Sequence, residues 1–187
     1  VGDIVVTAER RQQNLQDYAG VAQSITGETL RAVGIDQIED LQSAVPGLSI
    51  SNQEGNVQIY IRGVGTANNT ELGDPSAATH LNGVYLPRPR GLGGMFFDLA
   101  RVEIAKGPQG TLRGRNAVAG TLNIIPNMPR LGSREGFVQG EVGTLDTTGF
   151  EAAVNVPIGD TQAVRLALYG MDTGTAYENV GADSSLK

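Results

Sequence analysis

The stretch Arg101-Val-Glu-Ile-Ala-Lys-Gly-Pro-Gln-Gly-Thr-Leu-Arg-Gly-Arg-Asn-Ala-Val-Ala-Gly-Thr-Leu-Asn-Ile-Ile-Pro126 decides how the chain is read. Val102 and Ile104 alternate with Arg101 and Glu103, the period-two pattern of a strand with one apolar face. Gly107-Pro108-Gln109-Gly110 breaks the strand as a turn. A basic, glycine-rich segment carrying Arg113 and Arg115 follows. Leu122 to Ile125 then forms a second apolar strand, which Pro126 ends. The spacing of Gly107, Gly110, Gly114 and Gly120 matches neither the dinucleotide fingerprint nor the P-loop, and no Gly-Lys-Ser/Thr occurs. These glycines therefore read as tight turns between strands, not as a phosphate cradle.

Upstream, the pattern alternates between short helices and strands. Residues 1–16 open with the apolar patch Ile4-Val5-Val6 and become polar and charged from Glu9 to Asn14, which reads as a flexible arm. Val21 to Ile25 reads as a strand. Thr26 to Gly34 reads as a short helix with glycine at its end. Ile35, Ile38, Leu41 and Val45 recur at spacings of three and four and predict a second, amphipathic helix, with Asp36 and Glu39 in its first turn. Pro46-Gly47 stops it. Strands are expected at 48–51 and 57–61 around a polar loop at 52–56. A long polar loop spans 63–75. Asn82-Gly83 inside the apolar run 78–86 is a strong hairpin signal. Residues 87–94 form a Pro/Arg/Gly loop.

Past the prolines at 126 and 129 the pattern changes. Residues 137–145 read as a strand, and 150–156 and 163–171 alternate, separated by turn signals at 146–149 and 157–160. Three strands of about nine residues joined by tight turns make an antiparallel meander of the length that crosses a membrane. Alternation assigns Val154, Val156, Val164, Leu166 and Leu168 to one face, with Arg165 and Ala167 on the other.

Composition narrows the function. The chain has 187 residues, 40% hydrophobic residues, 26 glycines, no cysteine, one histidine and a net charge of -6. The negative charge argues against nucleic acid as a partner. With no cysteine there is no disulfide, thiolate metal site or cysteine nucleophile, and a lone His80 makes no histidine-rich metal site. No catalytic constellation emerges. Asp74, Glu71, Asp98 and Glu103 are not placed beside a nucleophile or a histidine. No run of 18 apolar residues is present, which excludes a membrane-spanning helix but leaves membrane strands open. The chain begins at Val1 without a basic-then-apolar leader, which fits a processed or a trimmed protein alike.

Four stretches in order resemble TonB-dependent outer-membrane receptors: Asp3-Ile-Val-Val-Thr-Ala8, Ile59-Tyr-Ile-Arg-Gly-Val-Gly65, Leu81-Asn-Gly-Val-Tyr85 and the 101–126 segment. The resemblance departs from the family where Lys106-Gly-Pro stands for the usual Arg-Gly-Pro, and Leu112-Arg113-Gly114 for Leu-Tyr-Gly. It implies an α+β plug domain, a small mixed sheet with short helices, followed by the start of an antiparallel transmembrane β-barrel. The expected divisions are an arm at 1–16, a plug at 17–129, and the first three barrel strands with part of an extracellular loop at 130–187. Family barrels close with about 22 strands. Three strands leave an open edge that lipid does not tolerate, so the sequence is expected to be a fragment.

The resemblance also implies roles. Asp3, Ile4, Val5, Val6, Thr7 and Ala8 would be the TonB box, a β-prone peptide that adds as a strand to the energy-transducing partner TonB. Arg62 and Lys106, together with Arg115, would hold the plug to carboxylates on the barrel wall. Gln53, Asn56, Asn68, Asn69, Arg88, Arg90, Leu92 and Met95 would lie on loops facing a small-molecule or metal-chelate ligand. The implied function is energy-coupled import across the outer membrane of a siderophore, vitamin, glycan or aromatic compound, with lipid around the barrel, no catalytic residue, no cofactor and no bound metal. The alternative is a soluble α+β binding or adhesion module with a short β-meander; an enzyme ranks third.

Overall fold

A computed structural model describes residues 5–6, 13–14, 20–53, 55–67, 73–88, 90–110, 115–144 and 146–174. Within these the chain divides into two compact units, 1–127 and 128–187.

The first unit is built on a mixed five-stranded sheet. In chain order its strands are β1 (Val5–Val6), β2 (Gln13–Asn14), β3 (Val21–Thr26), β4 (Leu48–Gln53), β5 (Asn56–Ile61), β6 (Ala77–Leu81), β7 (Val84–Leu86), β8 (Leu99–Lys106) and β9 (Gly120–Pro126). The central sheet has the order β3-β8-β9-β6-β7, while β4-β5 and β1-β2 form separate two-stranded pairs. Only β6 and β9 run parallel; the other neighbours are antiparallel. The two strands of the 101–126 segment are thus adjacent at the centre of the sheet. Lys106 faces Gly120 across their loop, and Gly107 N–H donates to Ala119 at 2.9 Å to carry the pairing one step further.

Alternation along these strands sorts the two faces. Ile25, Val102 and Ile124 pair across β3, β8 and β9 and are buried, as are Ile104 and Leu122 one step along. They share one core with Leu30, Ile35, Ile38, Leu41, Val45 and the inward residues of the β4-β5 hairpin. The opposite face carries a polar row with one residue from each strand, Ser24, Glu103, Asn123, His80 and Tyr85, each facing the next in register; the central three are buried and the two at the ends are half-buried. Buried carboxylates need partners. Glu103 accepts from Arg101 Nε at 2.8 Å and from Asn123 Nδ2 at 3.4 Å.

Helix α1 (Gly27–Ala32) follows the sequence reading closely. Thr26 caps it through its hydroxyl, which accepts from Thr29 N–H at 3.2 Å, and Gly34 takes φ +70° just past its end. This is the left-handed stop that glycine makes without strain. The second helix corrects the expectation of one continuous amphipathic element. Ile35, Ile38, Leu41 and Val45 are all buried, so the stripe is real. The backbone, however, makes a 3-10 turn (Ile38–Asp40) and only one α-turn, α2 (Leu41–Ala44). The Asp40 carboxylate accepts from Gln37 N–H at 3.0 Å and starts the helix there, leaving Asp36 outside. Pro46 forces Val45 into extended geometry and ends it, leaving room for barely two turns.

Two tight turns use left-handed residues. Asn82 (φ +49°) and Gly83 (φ +79°) join β6 to β7 as the Asn-Gly signal requires. Arg62 (φ +54°) and Gly63 (φ +79°) make an equivalent turn, with Ile61 and Val64 exchanging bonds of 2.9 and 3.1 Å. The sequence had placed a loop there.

The second unit is an antiparallel sheet of three strands in chain order, β10 (Glu135–Val142), β11 (Thr148–Ile158) and β12 (Gln162–Asp172). Register pairs Val154 with Leu166, Val156 with Val164 and Ala152 with Leu168, placing the expected apolar residues on one face. Val138, Val142, Phe150 and Ile158 extend that face, and its large apolar side chains are solvent-exposed. The other face holds Gln139, Glu141, Glu151, Asn155, Arg165 and Tyr169. Buried Asn155 accepts from Arg130 N–H at 2.9 Å and donates to the Arg130 and Ser133 carbonyls, which fixes the segment leading into β10. The second turn is a correction: Pro157 and Ile158 belong to β11, and the chain reverses at Gly159 (φ +66°). Proline is tolerated in this middle strand because the ladder with β10 stops at Asn155, so no partner on that side needs its N–H.

Candidate functional site

The parallel pairing of β6 and β9 has a direct consequence for the loops. Their N-terminal ends, Ala77 and Gly120, lie side by side. The loops that lead into them, before residue 77 and between 107 and 119, must therefore converge, and Ala119 N–H donates to Ser76 at 2.9 Å where they meet. The antiparallel β7 returns the segment after Leu86 to the same end. The start of β3, which carries the N-terminal arm, is also there, since Val21 faces Lys106.

Several expected site residues gather at this end. Arg115 forms an ion pair with Asp74. Asn116 donates to Tyr85 Oη at 2.7 Å and also bonds Asp74, while Arg88 acts on Asp74 through its charge. The Arg115 hydrogen bond leads these in holding the Asp74 carboxyl below the ordinary carboxylate range, and Arg115 is raised in turn. Arg115, expected on the sequence as a contact to a barrel wall, is here engaged within the plug.

Arg62 and Lys106 are brought to one turn. Lys106 Nζ donates to Pro46 O at 2.7 Å, and Arg62 N–H donates to Gly47 O at 2.6 Å. The Arg62 guanidinium is exposed and makes no ion pair among the described residues.

Gln53 and Asn56 close the tip of the β4-β5 hairpin by facing each other, so the polar loop expected at 52–56 is mostly strand. Asn56 bridges to Arg90, and Gly91 N–H donates to Gly55 O at 3.1 Å. Leu92 requires a correction. It is completely buried and belongs to the core, because the 3-10 turn Leu92–Met95 folds it inward as the anchor of its loop. Met95 on the same turn is exposed. Asn68, Asn69, Glu71 and Arg113 lie outside the described residues, as do Asp3, Ile4, Thr7 and Ala8. Val5 and Val6 are paired in register with Asn14 and Gln13, the smallest possible ladder.

The carboxylates weighed for acid/base chemistry go to separate structural partners. Asp74 is held by Arg115, Glu103 by Arg101, and Asp98 by Asn127 Nδ2 at 2.9 Å. No cluster of three or more His, Cys, Asp or Glu that could hold a metal exists among the described residues, and no described helix is long and apolar enough to cross a membrane.

Residues 14–121 match the model of the TonB-dependent receptor plug domain, and the chain belongs to that family. It is 29% identical over 161 residues to the pesticin receptor of Yersinia pestis, covering 84% of this chain and 23% of that protein. It is 31% identical over 167 residues to the catecholate siderophore receptor Fiu of Escherichia coli K12, covering 81% of this chain and 19% of that one. The crystal structure of the ferric yersiniabactin uptake receptor FyuA from Yersinia pestis superposes with a TM-score of 0.67 at 25% identity, over 79% of this chain and 24% of that chain. The chain thus spans less than a quarter of the length of these relatives. Membership bears out the plug fold expected from the sequence and places the chain in the outer membrane, where its relatives are β-barrel receptors.

Proposed function

We propose that this chain is the gate and first wall strands of an energy-coupled importer, which binds a small-molecule or metal-chelate ligand and is opened by TonB. The match of residues 14–121 to the plug family carries the reading. The relatives support a metal chelate as ligand: one is a catecholate siderophore receptor and one a ferric yersiniabactin uptake receptor. In this reading the exposed apolar face of β10-β12 meets lipid and its polar face lines the lumen. Residues 3–8 are the TonB box, and Arg62 and Lys106 hold the plug in register against the wall. The plug is a bistable element biased by ligand on one side and by force on the other. The work is binding and displacement, and no covalent step is required.

The test is paired. Val5→Pro removes a main-chain donor and fixes φ, which blocks strand addition. The expected outcome is loss of uptake in respiring cells, with ligand binding to de-energised cells unchanged and Val5→Ile near neutral. Asn14→Pro breaks the arm's own ladder but leaves the box main chain intact, and should retain uptake. Unchanged uptake in Val5→Pro would remove the TonB-box assignment.

A further inference from the structure

We propose that Asn127 and Asn155 are side-chain clamps that confine the joint between gate and wall to Met128 and Pro129, so that the gate is displaced about a short, fixed connection. The proposal rests on the reading of the chain as a displaceable gate and adds what limits the displacement. The chain divides into its two compact units between Asn127 and Met128. Each clamp is complete within its own unit.

On the gate side, Asn127 N–H donates to Asp98 O at 2.8 Å, and Asn127 Nδ2 donates to Asp98 Oδ1 at 2.9 Å and to Asp98 O at 3.2 Å. Asp98 is buried and immediately precedes β8. These bonds carry the pairing of Leu99 with Pro126 one residue past the end of β9. On the wall side, Asn155 Oδ1 accepts from Arg130 N–H at 2.9 Å, while its Nδ2 donates to Arg130 O at 2.9 Å and to Ser133 O at 2.7 Å. A primary amide offers one acceptor and two donors, and Asn155, 1% exposed, uses all three on the incoming segment. Glu135 faces Asn155 in register and reaches Arg130 at 3.8 Å and Arg165 at 3.9 Å, which adds charge to the same clamp.

The joint between the clamps is short and stiff. Met128 and Pro129 are both exposed. The proline ring fixes its own φ and restricts the residue before it to extended backbone. The steps from Asn127 to Arg130 span at most about 11 Å when fully extended. With the Asn155 clamp open, the next restraint is the start of β10 at Glu135, and the reach grows to about 29 Å. That second figure approaches the ~30 Å hydrocarbon thickness of a bilayer. The Asn155 clamp therefore decides whether the end of the gate stays beside its anchor or is let out on a tether.

The experiment uses the full-length receptor in detergent, spin-labelled singly at Val33 in the gate, at Met128 or at Ser133, with label mobility followed through a urea titration. The Val33 and Met128 labels should be released together at the midpoint where the gate opens, since the Asn127 clamp depends on Asp98. The Ser133 label should stay restricted up to the higher midpoint at which the wall itself unfolds. Asn155→Ala should shift release of the Ser133 label down to the gate midpoint, because Arg130 and Ser133 lose their buried partner. Asn127→Ala should loosen the Met128 label already in buffer and leave the Ser133 label unchanged. Release of the Ser133 label together with the gate in the wild type overturns the proposal, and that arm decides even where a clamp variant fails to assemble. So does a single midpoint for all three labels, or a Ser133 label indifferent to Asn155→Ala. No ligand or TonB enters these measurements, so the import reading is tested apart: uptake indifferent to Val5→Pro sinks that reading alone, and early release of the Ser133 label sinks the clamps alone.

Discussion

Leu41 offers the sharpest test of how the plug is held together. It is fully buried at the start of α2, between Ile38 and Val45, which are equally buried. Leu41→Ala removes three carbons from water-free packing, worth about 2.4 kcal/mol at ~0.8 kcal/mol per methylene. The void adds to this, because its neighbours are poorly placed to collapse into it. Val45 N–H is bonded to Leu41 O at 3.0 Å, and the Gln37–Asp40 bond pins the preceding turn. The total should be about 3–4 kcal/mol, and Leu41→Asp should cost at least as much, since it loses the same packing and adds an ionisable group to an apolar site. The assay is hydrogen exchange of the receptor in detergent, read on peptides from β8 and β9. Amides there that exchange through opening of the plug should speed up by about two orders of magnitude in Leu41→Ala. Val33→Ala, at an exposed residue of the same unit, should stay within about 0.5 kcal/mol. A change below ~1 kcal/mol for Leu41→Ala would show that the helical segment is not part of the sheet's core.

Gly120→Ala should cost about 2–4 kcal/mol by the same measurement, because its Cβ would lie 2.2 Å from Ala105 O and 2.9 Å from Ile61 Cδ1, at φ +147°. Gly34→Ala, with open space around it, should lose only ~1 kcal/mol; equal effects would refute the close approach. Spin labels along 163–171 should alternate in lipid accessibility, high at Val164, Leu166 and Leu168 and low at Arg165 and Ala167; a period of 3.6 would exclude the strand. Burial first, and then the charge of Asp40, raise the Asp36 carboxyl above its ordinary value. A raised acid destabilises the fold in its charged form, so its penalty appears as pH rises through the raised range and vanishes below it. Asp36→Asn should therefore stabilise the plug at neutral pH, and lose that advantage as pH falls to the ordinary carboxylate range, measured by denaturation; no gain at neutral pH would refute the burial penalty.

Much of the fold was legible because it depends on local chemistry. The alternation in 101–104 and 122–125 gave two strands, Asn82-Gly83 gave the hairpin, and Gly34 gave the end of α1. Each follows from the backbone preferences of a few adjacent residues. The apolar spacing of Ile35, Ile38, Leu41 and Val45 identified a buried stripe correctly but not its backbone, since the stripe constrains which side chains face inward and the Asp40 cap and Pro46 decide where helical bonds can form. Pro157 misled for a related reason: whether a strand can accept proline depends on whether a neighbour needs its N–H, which is a property of the sheet. The family, too, was legible, from four short stretches in order. Only the tertiary structure decided what the charged and loop residues do. Leu92 lies in a sequence that looks like a surface loop and packs in the core. Arg115 meets Asp74, forty-one residues away, because β6 and β9 happen to run parallel and bring their leading loops together. Sequence periodicity reports which face of an element is apolar. It carries no record of which distant loops the strand order places side by side, and the charges of this gate are arranged by that order.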